Sequence, residues 1–302
     1  MQTLPKEVEQ LFHYLQNGTS AFHVIAHTKQ VLTEAGFTEL HIKDTWTLTK
    51  GGRYFCSPFD TTLYAFTIGE SCDLSNGIHI AGAHTDFPAI KIKPNPEIFS
   101  HGYMQLNTEV YGGPILNTFF DRPLSLAGKV VTKGDRYDRP VSHLVDLKRP
   151  AVYLPNLAIH MNREANKGYD YNIQKDMLPL YGCGEAKGKF MKQIAEAANV
   201  KEDTILASDL FLYNRMKGSI WGACEEFISS PKLDDLQCAF SSLEAFLQSE
   251  EPLPSENVQA NEQSEVDGKN VINEKNVING KNIPVHCVFD NEEVGSGTKQ
   301  GA

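Results

Sequence analysis

Three short stretches of the 302-residue chain carry side chains suited to chemistry: His84-Thr85-Asp86, Asp234-Asp235, and Asp290-Asn291-Glu292-Glu293. The first follows an apolar run, residues 78–83, that reads as a strand. If the backbone stays extended, the imidazole and the carboxylate two residues on point to one face. Asp86 would then accept a hydrogen bond from His84 and fix its tautomer, the usual support for a metal-ligating histidine. Taken alone, the pair reads as a histidine that closes a strand. Asp234 and Asp235 open a helical pattern, where acidic residues are ordinary N-caps or first-turn charges. Glu292 and Glu293 differ, because neighbouring carboxylates after a buried strand repel unless a cation or proton lies between them. Adjacent side chains also diverge, so one is free to ligate while the other faces a substrate; a solvated acidic loop is the alternative. One histidine, one aspartate and two glutamates together suit zinc or a similar divalent ion, and two such ions about 3.5–4 Å apart can share a bridging carboxylate. No GxxxxGK[ST] loop, GxGxxG turn or GxSxG elbow is present, which argues against phosphate chemistry and serine hydrolysis.

The elements that must position these groups are legible in outline. Val8, Leu11, Phe12 and Leu15 share one face of an N-terminal helical pattern, and Leu236, Phe240, Leu243 and Leu247 share another. The near-continuous apolar run "IPVHCVF" predicts a strand buried on both faces of a parallel sheet. Residues 90–221 are short, β-rich segments punctuated by Gly112-Gly113 and by prolines. Residues 249–282 are rich in Glu, Asn, Ser and Lys; "KNVIN" occurs twice, too few copies for a repeat array, so a disordered surface insertion is expected. These segments predict an α/β domain built from residues 1–92 and 222–302, interrupted by a β-rich domain over 93–221. Sites in open α/β sheets form at the carboxyl ends of strands, where all three polar stretches fall.

Composition narrows the class. A chain 41% hydrophobic and 22% charged has what a globular core requires. Its net charge of -10 argues against nucleic acid or an anionic membrane as the main partner. No run of 18 apolar residues predicts a membrane span, and the N-terminus lacks the pattern of a secretion signal. Six scattered cysteines without a CxxC pair predict reduced thiols in a cytoplasmic protein.

The ordered segments "AGAHTDFPAIKIKP", "YGGPILNTFFDRPLSLAGKV", "LPNLAIHMNR", "SSPKLDDL" and "VFDNEEVGSGTKQGA" resemble the successive signatures of the M18 zinc aminopeptidases, the aspartyl aminopeptidase and aminopeptidase I group. The resemblance implies a two-zinc exopeptidase acting on the N-terminal residue of peptides, acidic residues in the aspartyl branch. It implies a zinc-peptidase-type α/β catalytic domain with a mixed sheet flanked by helices, an inserted dimerisation domain, and homo-oligomers up to a dodecamer. Carried over by position, His84 would ligate one zinc with Asp86 behind it, Asp234 would bridge the two ions, Glu293 would ligate zinc and Glu292 would be the general base. His160, in "LAIHMNR", would reach a neighbouring subunit's site. Pro123 and Asp235 stand where the family often has an acidic residue and an asparagine. The family's remaining zinc ligands and pocket residues have no counterpart before Ala302. The chain is therefore expected to be the first two-thirds of such an enzyme, inactive alone and with strand 285–289 left as an unpaired apolar edge. A non-catalytic assembly or binding module is the alternative expectation.

Overall fold

The computed structural model describes residues 5–136, 138–249 and 282–301, so the expected polar insertion, apart from its ends, lies outside the described residues. Helices α1 (Lys6–Asn17) and α2 (Ala21–Glu34) open the chain; α3 (Ile173–Asp176), α4 (Phe190–Ala197) and α5 (Leu233–Gln248) follow. Strands β1 (Thr38–Leu40), β2 (Arg53–Phe59), β3 (Thr62–Thr67), β4 (Ile78–His84) and the last strand, β14 (Ile283–Phe289), form one mixed sheet in the order β1-β2-β3-β14-β4. Leu11 and Leu15 of α1, Val24 and Ile25 of α2, and Leu236 and Leu243 of α5 are buried in one core with Phe55, Leu63 and Val288 of the sheet. The apolar spacing of α1 and α5 has this packing as its cause: residues three and four apart share the buried face.

β14 corrects two expectations. It runs parallel to β4 but antiparallel to β3, so it is a central strand of a mixed sheet rather than of a parallel one. Nor is 285–289 an unpaired edge, because the β2–β3 hairpin turns a strand back beside it. The edge strands among the described residues are β1 and β4, and on β4 Ile78 and Ile80 are 52% and 67% exposed. An apolar run reports burial and leaves the direction of its neighbours undetermined.

A second sheet contains β5 (Ala89–Ser100), β6 (Tyr103–Tyr111), β7 (Pro123–Thr132), β8 (Val141–Asp146), β9 (Val152–Tyr153), β10 (Leu180–Cys183) and β11 (Ile205–Asn214). Its order is β11-β5-β6-β10-β9-β7-β8, and β11 also pairs with β7, which curls the sheet back on itself. Ile90, Leu106, Leu124, Leu126, Leu210 and Leu212 fill its interior. Closure of this kind leaves fewer open strand edges. β12 (Ser219–Trp221) and β13 (Phe227–Ser229) make a hairpin on the way to α5. Among the described residues no helix is long and apolar enough to cross a membrane, and the six cysteines are free thiols.

Candidate metal centre

β4 and β14 are parallel neighbours in register Phe289↔His84, so the loops leaving their carboxyl ends lie side by side. Thr85, fully buried, rivets the two strands: its N–H donates to the Phe289 carbonyl at 2.7 Å, and its hydroxyl donates to the carbonyls of Phe289 and Thr61 at 3.0 and 2.9 Å. A third element arrives from α5. The expectation of Asp234 and Asp235 in the first turn of that helix is corrected here, since their backbones are non-helical (φ, ψ of -84°, 115° and -109°, 15°) and the helical ladder starts beyond them. This frees both side chains to turn toward the strand ends. Asp235 accepts a hydrogen bond from the His84 N–H at 3.0 Å.

The result is a compact group of donors. One ligand atom each from His84, Asp234 and Glu293 lies within 4.8 Å of the other two. His84 Nδ1 faces two acceptors, the Asp86 carbonyl at 3.0 Å and its carboxylate at 3.3 Å, so Nδ1 carries a proton and Nε2 is the nitrogen that turns to a metal once its own proton is released. Nε2 in turn sees carboxylate oxygens of Asp234, Asp235 and Glu292 at 3.7, 3.7 and 3.6 Å. One imidazole nitrogen and two carboxylates at this spacing are a donor set that fits zinc, whose ligands are N, O and S. Glu292 and Glu293 sit in a single 3₁₀ turn that follows Asn291 in the left-handed region (φ 63°). The Asn291 carbonyl closes this turn by accepting from the Ser296 N–H at 2.7 Å, and its side-chain oxygen accepts from the Thr298 hydroxyl at 2.7 Å.

Asp86 is the hub. Its buried carboxylate accepts from the Tyr111 hydroxyl at 2.8 Å and from the N–H groups of Glu292 and Glu293 at 3.3 and 3.1 Å, besides His84. Burial alone would raise its pKa, but these hydrogen bonds outweigh it and hold the carboxyl below the usual range. Burial likewise disfavours a charged His84, yet Asp86, Asp235 and Glu292 push its pKa up to about 9 in the metal-free protein. Glu293 shifts upward, first through burial and then through Asp234 and Asp86. Such mutual tension among acids is relieved when a cation sits between them. A cavity of about 580 Å³ begins at Asp234 and is lined by Phe87, Ile115, Phe119, Arg122, Lys217 and Lys232, among others.

Of the residues singled out by sequence, His84, Asp86, Asp234, Glu292 and Glu293 are brought together. His160 is not among them; it lies in an exposed turn after β9, flanked by exposed Ile159 and Met161. Sequence reasoning missed Tyr111, which reaches Asp86 from β6, and the role of Asp235 at the β4 end. It also took Gly112 only as a turn signal. Gly112 has φ 70°, and a Cβ there would fall 2.6 Å from a Glu293 carboxylate oxygen, so glycine is what lets the glutamate pass.

Fold and site together define an α/β scaffold, built on a mixed sheet, whose candidate metal centre stands at the ends of two parallel strands. The family model described as "Aminopeptidase I zinc metalloprotease (M18)" matches residues 14–302, and the chain belongs to the M18 family. It is 41% identical over 307 residues to the probable M18 family aminopeptidase 2 of Clostridium novyi (strain NT), covering 100% of this chain and 64% of that protein. The chain thus spans less than two thirds of that relative's length. Among solved structures, it superposes on a chain of the Ape4 and Nbr1 complex with TM-score 0.84 at 27% identity, covering 100% of this chain and 58% of that one. Chaetomium thermophilum mApe1 matches with TM-score 0.80 at 26% identity, covering 97% and 64% respectively.

Proposed function

We propose that this chain carries part of the active site of a zinc-dependent aminopeptidase that hydrolyses the N-terminal residue of peptides. The observation that supports it most is the convergence of His84, Asp234 and Glu293 within 4.8 Å beside an open cavity. In this reading His84 Nε2, Asp234 and Glu293 would hold zinc, and Asp234 would be the shared carboxylate if two ions bind. Bound zinc supplies Lewis acidity and lowers the pKa of a coordinated water toward about 7. The protein's own groups do the rest. Asp86 keeps the proton on His84 Nδ1, so Nε2 is the nitrogen that gives up its proton to ligate. Glu292, more than half exposed at the mouth of the cluster, takes a proton from the attacking water and passes it to the leaving amine, a role worth roughly 10²–10⁴-fold. Arg122 and Lys217 in the cavity wall favour acidic side chains on the substrate. The convergence of these three ligands supports this reading over a non-catalytic assembly module.

In the complete enzyme Glu292→Gln tests it: metal content stays at the wild-type level while release of the N-terminal residue falls by about 10²–10⁴-fold. Near-full turnover in this variant would sink the assignment of the base. His160 belongs to the same proposal as a donor to a neighbouring subunit's site in a homo-oligomer. Exposed Leu157, Ile159 and Met161 around it form an apolar surface suited to self-association. Mixed oligomers of Glu292→Gln and His160→Ala subunits then regain activity that neither homogeneous preparation has; proven mixing without recovery would contradict action in trans.

A further inference from the structure

The ammonium of Lys232 is directed at backbone rather than at a carboxylate. Its Nζ donates to the carbonyls of Leu15 and Gly18, the latter at 2.9 Å, at the C-terminal end of α1. A helix C-terminus leaves carbonyls without partners and carries partial negative charge, so a cation there is favoured twice. The same ammonium lies 5.7 Å from the Phe87 ring centroid and 5.8 Å from that of Tyr213. Three separate elements therefore grip one side chain: the end of α1, the segment after β4, and β11. Gly18 keeps that end of α1 tightly packed, since a Cβ there would fall 2.9 Å from Val24 and 3.0 Å from Leu236. Lys232 itself adopts the left-handed conformation (φ 65°, ψ 27°), which a non-glycine residue holds only where its surroundings enforce it.

Two residues later stands Asp234. Its side chain is 79% exposed, its backbone is outside the helical ladder, and no hydrogen bond holds its carboxylate among the described residues. Whatever fixes the carboxylate 3.7 Å from His84 Nε2 must act through the backbone. The backbone on its N-terminal side is fixed by the Lys232 anchor.

We propose that Lys232 is a positioning residue. By tying the 232–235 turn to the end of α1, it sets where Asp234 meets His84 and Glu293. The proposal rests on the metal-centre reading above. It is tested by cobalt(II) binding to the purified protein, followed by the absorption spectrum and by competition with a chelator, alongside thermal melting of the metal-free form. Lys232→Met keeps the apolar stem between Phe87 and Tyr213 and removes the ammonium. The expected result is cobalt affinity lowered by about 10–100-fold with an altered spectrum, and recovery to within a few-fold in Lys232→Arg. Asp234→Asn is the control that loses cobalt directly. Cobalt bound by wild type, lost in Asp234→Asn, and bound normally by Lys232→Met overturns the proposal alone, even if that variant melts earlier. A wild-type protein that binds no cobalt overturns the metal-centre reading, and the proposal with it. Should the Met variant fail to fold, Lys232→Gln, neutral and too short to reach both the Leu15 and Gly18 carbonyls, decides the matter: unchanged affinity there also overturns the proposal.

Discussion

Replacing Asp86 by asparagine removes one charge and keeps the shape, so its consequences follow from hydrogen-bond arithmetic. Oδ1 receives His84 Nδ1 and the Glu292 N–H; Oδ2 receives the Tyr111 hydroxyl and the Glu293 N–H. An amide offers one oxygen and one NH₂ group, so two of the four donors must face a donor. The less costly orientation turns the NH₂ toward Tyr111, whose hydroxyl can rotate and accept. The Glu293 N–H is then left without an acceptor in a site where the residue-86 side chain is only 3% exposed. One buried orphan costs about 1–3 kcal/mol, and the surviving bonds lose their charge assistance, for a total of about 2–4 kcal/mol. The carboxylate behind the histidine is also lost, which lowers metal affinity by about 10–100-fold. Urea unfolding of the metal-free protein measures the first quantity, and chelator competition measures the second. Tyr111→Phe is the comparison: it removes one donor, costs about 1 kcal/mol and leaves metal binding nearly intact. Stability within about 0.5 kcal/mol of wild type and unaltered metal affinity in Asp86→Asn would refute the description of Asp86 as the hub.

Two further outcomes follow from titration. Burial lowers the pKa of His286, on β14 beside Ser242 and Phe246, from 6.5 to about 4. Below pH 6.5 the unfolded chain binds a proton that the folded one refuses, so stability falls as pH drops from 6.5 toward 4, by up to about 3 kcal/mol; urea titrations at both pH values measure it, and His286→Leu removes that part of the slope. His84 shifts the other way, to about 9, so in the metal-free protein it is charged at neutral pH and must release a proton to ligate. Zinc affinity therefore rises about tenfold per pH unit up to about 9, and a flat profile from pH 6 to 9 would contradict this.

The positions of the acidic and histidine groups were legible because each ends a strand or starts a helix, and such ends carry local signatures. What escaped has no local signature. Tyr111 lies in a different sheet and meets Asp86 only through the packing of β6 against the strand ends. Asp235 looked like a helix-start charge, and nothing in "PKLDDL" announces a backbone that leaves the helical region at both aspartates. Lys232 likewise has no local signature of its contact with the end of α1, which only the packed structure shows. The apolar content of β14 predicted a buried strand correctly, whereas its two neighbours depend on where the β2–β3 hairpin returns, a tertiary matter. Side-chain periodicity thus reports the faces of elements, and contacts between elements decide who supports the site.

The central claim is that His84, Asp234 and Glu293 together hold a divalent ion. Zinc-edge X-ray absorption on the zinc-loaded protein tests it most directly. The predicted result is a shell of nitrogen and oxygen donors near about 2.0–2.2 Å with imidazole scattering, lost in His84→Ala. Sulfur at about 2.3 Å, pointing to the free cysteines, or a shell unchanged by His84→Ala, would contradict the account.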